Sequence, residues 1–367
     1  MSTRENNLEQ KHRFYMRLAF NQARRLQGNR GKNPAVGCAI VKNDTLVNLS
    51  HTKFNGRPHA EQIALTIKKN FKNNSLYSTL EPCNHYGKTG PCTNIIIKKS
   101  LKSVYYSKID PDKRSANKTK SILLKKGIKV LVGLCLKEGV NFYKDFHIKH
   151  RTKKIFITSK LATSKDYFIS KKNNKWITNY YSRGRVHLLR ANHDAILTTS
   201  KTVIKDNPSL DCRISGLEKF SPARFILDKN LKISTKSKIF SSSNKIKTYL
   251  FYNHINVSKL KKLKRLKINT VRIDLKNKQL DFEKIIFFIR SRGFFRLFVE
   301  AGIIFNDYLL KNNYINEFYH FYSSDLFRKK GLNSGRFLFK KIIKTKKNKK
   351  EVIVNLFQDK LVKYLLK

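Results

Sequence analysis

His59-Ala60-Glu61, Pro82-Cys83 and Cys92 are the residues of this chain best suited to chemistry. One imidazole and two thiols form a borderline-soft ligand set that suits zinc. Three protein ligands leave a fourth position for water, and the metal brings that water's pKa towards neutrality. Glu61 lies two residues from a ligand, so it can face the same cavity without coordinating. Its role there would be to shuttle protons between water and substrate. A closed structural site would need a fourth ligand. His85 is the nearby candidate, and it stands too close to Cys83 to be an obvious tetrahedral partner. The expectation is one catalytic zinc per chain, held by His59, Cys83 and Cys92.

Separate elements must bring these ligands together. Phe14, Leu18 and Ala23 have helical spacing, which predicts an opening amphipathic helix over residues 12–27. An apolar run at 36–41 predicts a buried strand, with Asn43-Asp44 as a hairpin turn into 46–49. Ile63, Ala64 and Ile67 predict a helix over 59–69, with His59 and Glu61 in its first turn. A strand at 76–80 ends at Glu81-Pro82-Cys83, and Pro91-Cys92 opens a helix through 97. Two helix starts therefore deliver the three ligands. Strands at 103–106 and 128–132 flank a helix at 121–126, which makes this half α/β.

Two further groups border the cluster. Asn33, in Asn33-Pro34-Ala35-Val36-Gly37, offers an amide that can donate and accept against a pyrimidine edge or ribose. Spacing alone reads the segment as a turn before a strand. His85, Gly87 and Lys88 lie in the eight-residue stretch 84–91 between the thiols. His and Lys there could hold a substrate phosphate, and the alternative is a solvated loop.

At 367 residues the chain suits two domains, and 40% hydrophobic residues suffice for a core in each. No apolar run approaches the roughly 20 residues a membrane span needs. Residues 1–10 are polar and lack an apolar signal core, so the cytoplasm is the expected location. Five scattered cysteines do not form a disulfide framework, and Cys38, Cys135 and Cys212 read as buried bystanders. The formal net charge is +55, from 79 Lys+Arg against 24 Asp+Glu. A nucleic-acid (tRNA-type) zinc deaminase would exploit such charge. The excess, however, is mostly Lys, spread along the whole chain among residues with A/T-rich codons. Compositional drift accounts for that pattern better than a local, Arg-rich patch does. No specific nucleic-acid partner and no membrane are expected.

The basic stretch 147–154 follows a last helix, and the domain boundary is placed there, giving domains 1–150 and 151–367. The second half again alternates. Strands are expected near 155–158, 195–198, 225–227, 248–251 and 297–299, with helices at 181–190 and 302–310. The Lys-rich runs 229–247 and 259–267 read as loops or solvated faces, and 340–350 as a charged hairpin or loop.

His-x-Glu with Pro-Cys and a second Cys resembles the zinc deaminases of nucleobases and nucleotides. In that superfamily the second Cys usually follows the first by three positions, so the longer spacing here points to one branch. With the insert His85-x-Gly87-Lys88-Thr89 and with Asn33-Pro34-x-Val36-Gly37, the sequence resembles the bifunctional deaminase–reductase family of riboflavin biosynthesis. The second half carries the resemblance through Lys160-Leu161-Ala162-x-Ser164-x-Asp166, Trp176-Ile177-Thr178 and Leu188-Leu189-Arg190-Ala191. Asp194-Ala195-Ile196-Leu197, Thr202-Val203-x-x-Asp206-Asn207-Pro208-x-Leu210 and Val299-Glu300-Ala301-Gly302 extend it over nearly the whole chain.

The resemblance implies a cytidine-deaminase-like α/β domain with a mixed sheet and helices on both faces. A dihydrofolate-reductase-like α/β domain would follow. It implies hydrolytic deamination of a diamino-pyrimidinone bearing a phosphoribosylamino group, then NADPH-dependent reduction of the ribose to ribitol, in a homo-oligomer. Glu61 would be the proton shuttle, passing protons to the ring nitrogen and the departing amine. Ala162, Trp176, Thr202 and Asp206 fall at NADP positions. Gly302, Ile303, Ile304, Phe305, Asn306, Asp307 and Tyr308 fall where the family wraps the cofactor phosphates. Asn174, Arg190, Leu210, Arg213 and Glu300 fall at substrate positions, and Lys160 would lie near the reacting ribose. Gly302 before a helix also has its own rationale, because free N–H groups at a helix start can meet an anion. Arg190 and Arg213 could each pair a phosphate bidentately. Two positions depart from the family pattern. Lys165-Asp166-Tyr167 replaces Leu-Asp-Gly, and Gly90 replaces a commoner Pro. Tyr167 removes a permissive glycine and raises a second possibility, a deaminase with a degenerate reductase half.

Overall fold

The structure, a computed structural model, describes residues 3–26, 33–67, 70–87, 89–152, 154–172, 176–344 and 349–367. The chain divides into two compact units, Met1–Lys154 and Ile155–Lys367.

The first unit opens with α1 (Thr3–Arg24), longer than the expected helix. Its buried face is Tyr15, Met16, Ala19, Phe20 and Ala23, whereas Phe14 is exposed. β1 (Gly37–Lys42) and β2 (Thr45–His51) form a hairpin. Asn43 and Asp44 both adopt positive φ (44° and 64°), the mirror-image turn that matches strand twist. There follow α2 (Ala60–Ala64), β3 (Ser75–Leu80), α3 (Cys92–Lys98), β4 (Ser103–Lys108), α4 (Thr119–Leu124), β5 (Lys129–Val132), α5 (Leu136–Phe142) and α6 (Lys144–Thr152).

The sheet order is β2-β1-β3-β4-β5. Its β2-β1-β3 part is antiparallel and its β3-β4-β5 part parallel, so the sheet is mixed. Helices cover both faces, which explains why β1 reads as an unbroken apolar run and not as an alternating one. α1 presses so closely on β1 that a Cβ at Gly37 would lie 1.8 Å from the Ala19 carbonyl oxygen. On the opposite face Ser50 donates to the Ala60 carbonyl and anchors α2.

The basic stretch 147–154 does not follow the last helix of this unit, and the two units divide at its end. Most of it is the last two turns of α6, with Phe146 buried beneath.

The second unit comprises β6 (Phe156–Thr163), β7 (Phe168–Lys171), α7 (Tyr180–Ala191), β8 (Ala195–Thr199), α8 (Ser200–Asp206), β9 (Ala223–Leu227), α9 (Lys238–Ser241), β10 (Thr248–Tyr252), α10 (Val257–Arg265) and β11 (Asn269–Arg272). A small hairpin of β12 (Leu275–Lys276) and β13 (Gln279–Leu280) precedes α11 (Phe282–Ser291), β14 (Arg296–Glu300), α12 (Ile303–Lys311) and β15 (Glu317–Tyr322). β16 (Gly331–Ser334), α13 (Arg336–Lys344), β17 (Lys349–Glu351) and β18 (Lys360–Leu365) complete it.

The nine-stranded sheet runs β11-β10-β9-β8-β14-β6-β15-β18-β17. The first seven strands are parallel and the last two pair antiparallel. Two apolar layers sandwich the sheet, one around Phe225, Phe251, Ile285 and Leu297, the other around Ile226, Leu250, Leu263 and Phe298. The runs read as loops or solvated faces contain helices. Ile239 and Phe240 bury α9, and Leu263 buries α10 while its lysines stay in water. At 340–350, α13 continues to Lys344 and the chain re-enters the sheet as β17, with 345–348 outside the described residues.

Candidate functional site

The three expected zinc ligands converge. His59 caps α2 in extended geometry and Cys92 is the first residue of α3. The His59 Nδ1 lies 3.4 Å from the Cys92 Sγ and 3.5 Å from the Cys83 Sγ. All three donor atoms fall within 4.8 Å of one another. Local hydrogen bonds fix this geometry. The Cys92 N–H donates to the Cys83 Sγ (3.3 Å), the Thr93 N–H to the Cys83 carbonyl, and the His59 N–H to the Gln62 side chain. One nitrogen and two sulfurs facing a common point fit a tetrahedral zinc with a free position.

Electrostatics agree with that use. The hydrogen bond from Cys92 and the neighbouring His59 pull the Cys83 thiol down to about 4, while Cys92, the donor in a buried pair, is pushed up. Burial works against a charged His59 ring, but Cys83 and Glu61 outweigh it and raise its pKa. Glu61 is buried beside the cluster, its Oε2 3.7 Å from the Cys92 Sγ and its Oε1 accepting from Ser78 at 2.9 Å. Burial raises its carboxyl above the ordinary range, which favours holding a proton.

Sequence reasoning passed over Ser78. The two-residue alternation of β3, counted back from Leu80, was the signal that could have found it. Glu81 is a scaffold. Its carboxylate accepts the N–H groups of Asp110, Asn117 and Thr119, tying the loop after β4 to the Cys83 segment.

His85 and Thr89 of the insert between the thiols are each held by a neighbour. The His85 Nδ1 bonds the Ser115 hydroxyl at 2.7 Å, which leaves Nε2 free to meet a ligand. Arg57, also unnoticed in the sequence, hydrogen bonds Thr89 in the same loop. Lys88 lies outside the described residues. The Asn33 side chain donates one of its two N–H groups to the Gly56 carbonyl at 2.8 Å.

In the second unit the candidates gather at the carboxyl ends of adjacent parallel strands, where open α/β sheets bind ligands. Lys160 and Ala162 lie on β6, Thr202 in the first turn after β8, and Glu300 and Gly302 at the end of β14. Lys160 and Glu300 are register partners. Their side chains meet: the Lys160 Nζ is 3.3 Å from the Glu300 Oε2. The Arg190 fork holds the same carboxylate through Nε (2.6 Å) and Nη2 (3.1 Å), and its Nη1 donates to the Asp211 carbonyl. Burial opposes the charge on Glu300, but Arg190 and Lys160 overcome it and hold its carboxyl at about 2. Arg190 is thus engaged by Glu300, while Arg213 is exposed and pairs with Asp211.

Around α12 the expected cofactor residues divide. Gly302 caps the helix, and a Cβ there would meet nothing within 4 Å, so its backbone is open to a ligand. The N–H groups of Ile303, Ile304 and Phe305 occupy the unpaired first turn. Asn306 points inward, bonding Ser159 and the Ala301 and Gly302 carbonyls. Asp307 pairs with Lys311 and Lys341, and Tyr308 packs with Phe282, Phe305 and Tyr314. An open glycine at a helix start fits an anionic cofactor phosphate. Of the remaining positions, Thr202 approaches Thr199, Asp206 is exposed at the end of α8, and Leu210 is buried. Trp176 is 52% exposed with the Arg183 guanidinium 4.5 Å above its ring. Asn174 lies outside the described residues.

Comparison with known proteins accounts for both halves. Residues 9–108 match the cytidine and deoxycytidylate deaminase zinc-binding region, and residues 155–327 match the RibD C-terminal domain. Over 351 residues the chain is 31% identical to the riboflavin biosynthesis protein RibD of Aquifex aeolicus, covering 95% of this chain and 96% of that one. The chain belongs to the RibD family. The RibD protein of Bacillus amyloliquefaciens is 32% identical over 84% of this chain and 83% of its own. A solved Thermotoga maritima structure, a diaminohydroxyphosphoribosylaminopyrimidine deaminase/5-amino-6-(5-phosphoribosylamino)uracil reductase, superposes with a TM-score of 0.80. It is 26% identical and covers 97% of this chain and 99% of that chain. The RibD fold of Acinetobacter baumannii matches with a TM-score of 0.79.

RibD membership also bears on the two departures from the family pattern. Tyr167 adopts φ +71°, so the turn keeps the left-handed conformation a glycine would take, at a cost of about 1–3 kcal/mol. Its ring packs against His320, Tyr322 and Phe339, and Asp166 caps the Phe327 and Arg328 N–H groups. Gly90 precedes Pro91 without disturbing Cys92.

Proposed function

We propose that this chain performs two successive steps of riboflavin biosynthesis. The first unit deaminates a diamino-pyrimidinone carrying a phosphoribosylamino group, and the second reduces the ribose of the product to ribitol with NADPH. The observation that carries this reading is the His59–Cys83–Cys92 cluster with buried Glu61 beside it, in one chain with a RibD C-terminal domain.

In the deaminase, His59, Cys83 and Cys92 would hold zinc, which supplies a Lewis acid that makes water nucleophilic near neutral pH. Glu61 takes the proton shed by the attacking water to the ring nitrogen, and then carries the proton of the newly added hydroxyl to the departing amine. Ser78 fixes the Glu61 carboxylate during both transfers. Water enters and ammonia leaves, so the ring amine becomes a carbonyl. His85 offers its free nitrogen to the substrate phosphate.

In the reductase, Gly302, Ile303 and Ile304 present backbone to a cofactor phosphate, with Ala162, Thr202, Asp206 and Trp176 along the dinucleotide. NADPH, when bound, supplies the hydride. Glu300, fixed by Arg190, orients the Lys160 ammonium towards the reacting ribose. Asn174, Leu210 and Arg213 complete the substrate side.

Retention of the left-handed turn at Tyr167 supports an intact reductase over a degenerate one. RibD membership across nearly the whole chain does not favour a nucleic-acid deaminase. Among the described residues no helix is long and apolar enough to cross a membrane. The same reading places the enzyme in the cytoplasm as a homo-oligomer without a dedicated nucleic-acid partner.

The test is an assay of the purified chain on the diamino-pyrimidine substrate, with and without NADPH. Deamination in both arms and ribitol product only with NADPH is the expected result. No deamination overturns the reading. Deamination without NADPH-dependent reduction leaves only the degenerate-reductase alternative.

A further inference from the structure

The large sheet of the second unit ends at β11, which pairs with β10 alone. Ile273, just past the strand, donates its N–H to the Tyr252 carbonyl. Ladder bonds of a parallel pair fall on alternate residues, so the N–H and C=O of Thr270 and Arg272 turn outward. A row of unpaired strand groups is a template for another strand. Among the described residues no strand pairs with the outer side of β11. α10 packs on one face of the sheet through Leu263, and α11 on the other through Ile285 and Ile289. Between the helices a groove of 510 Å³ is lined by residues of β11 and both helices.

The groove has an apolar floor and a basic rim. Leu260, Val271 and Phe288 contribute to the floor, and Lys261, Lys264 and Arg292 to the rim. No Asp or Glu is among its lining residues. This chain is basic nearly everywhere, so charge alone would select no place on it. The free edge selects this place, and the charge then selects the occupant. A second copy pairing edge to edge would bring two sets of like cations together. Single-stranded nucleic acid needs open aromatic faces for its bases. Tyr249 in the groove is buried, and the Arg292 guanidinium covers the Phe288 ring at 4.9 Å.

We propose that the outer edge of β11 is a docking site for an extended acidic polypeptide segment, which adds to the sheet as a tenth strand. Main-chain bonds to Thr270 and Arg272 supply the pairing. Alternate side chains of the segment settle on the apolar floor, and its carboxylates meet the Lys261, Lys264 and Arg292 rim. β11 stands three strands away from β8 in the sheet, apart from the reductase residues on β6, β8 and β14, so the site serves assembly or localisation and not reduction.

The probe is a fluorescein-labelled heptapeptide of alternating Glu and Val, titrated by anisotropy into the full chain. Saturable binding is expected. It should weaken about tenfold or more when the peptide's pairing amides are N-methylated, because two lost hydrogen bonds are worth at least that. Thr270→Pro, which removes an outward N–H at an edge, should have the same effect with the melting temperature and both activities retained. The methylated peptide tests the idea even if that variant fails to fold. Equal binding by the methylated peptide, or equal displacement by an oligonucleotide of the same charge, reduces the site to non-specific attraction and overturns the proposal. Absence of saturable binding overturns it too, as does a loss of self-association in Thr270→Pro, which would make the edge an interface between copies.

Discussion

Glu61 and Glu300 are both almost removed from water, at 3% and 7% exposure, yet their surroundings drive them in opposite directions. Glu61 has a hydroxyl, two thiols and one imidazole beside it, so burial prevails and its carboxyl is raised. Glu300 has a guanidinium fork and an ammonium within bonding distance, and its carboxyl is held at about 2. Among the described residues Glu61 has a hydroxyl and a sulfur in contact and no Lys or Arg. Glu300 is placed between two cations, Lys160 and Arg190. Burial alone distinguishes nothing here; the partners do.

The most severe way to probe this contrast is Glu61→Gln. It should keep about one zinc per chain by metal analysis and lose deamination by about 10²–10⁴-fold, while reduction of supplied deaminated substrate persists. Retained deamination would remove Glu61 from proton transfer. Next is Arg190→Leu, which leaves the Glu300 charge buried with only Lys160 beside it. Chemical denaturation should show the second unit destabilised by about 3–5 kcal/mol, with deamination intact. Adding Glu300→Leu to that variant should recover part of the loss. If it does not, the pair is not the source.

A gentler probe is pH. With its carboxyl held at about 2 against an ordinary value of 4.5, Glu300 binds its proton less readily folded than unfolded. Its stabilising contribution is therefore complete above about 4.5 and is lost as pH falls towards 2. The stability difference between the wild-type chain and Glu300→Gln should be constant from neutrality to about pH 5 and shrink below it. A difference that grows on acidification would contradict the assignment. The smallest effect is expected from His85→Ala, a rise in the deaminase KM of about threefold to tenfold with little change in kcat. This corresponds to one hydrogen bond to a charged group or less. An unchanged KM would leave His85 as a loop anchor through Ser115.

Much of the first site was legible because its signals are local. His59 and Glu61 are two apart, each thiol stands beside a proline, and both helix starts have sequence marks. The hairpin at Asn43-Asp44 was legible for the same reason, since few residues accept two successive positive φ values. The Lys-rich helices were not. In α10 the lysines dominate composition while one small stripe, with Leu263 at its centre, carries the packing. The extent of the last helix before the boundary was missed for a related reason. Basic residues on the solvated face of α6 read as a stretch beyond the helix until Phe146 is seen beneath them. The expected phosphate-binding run from Gly302 to Tyr308 was read as one continuous group. Helix periodicity separates it into an open first turn and side chains such as Asn306 that face the interior.

The sequence by itself determined the donor set, the alternation of strands and helices, and the division of the chain into two folding units. Those properties reside in residue type and short spacing, which survive without knowledge of the fold. Only the tertiary structure decided that Arg190 holds Glu300, that Ser78 holds Glu61, and that β11, paired with β10 on one side, ends the sheet among the described residues. Each of these joins groups that are far apart in the chain or depends on which strand has a neighbour. Such pairings are set by packing of whole layers, and no local pattern encodes them.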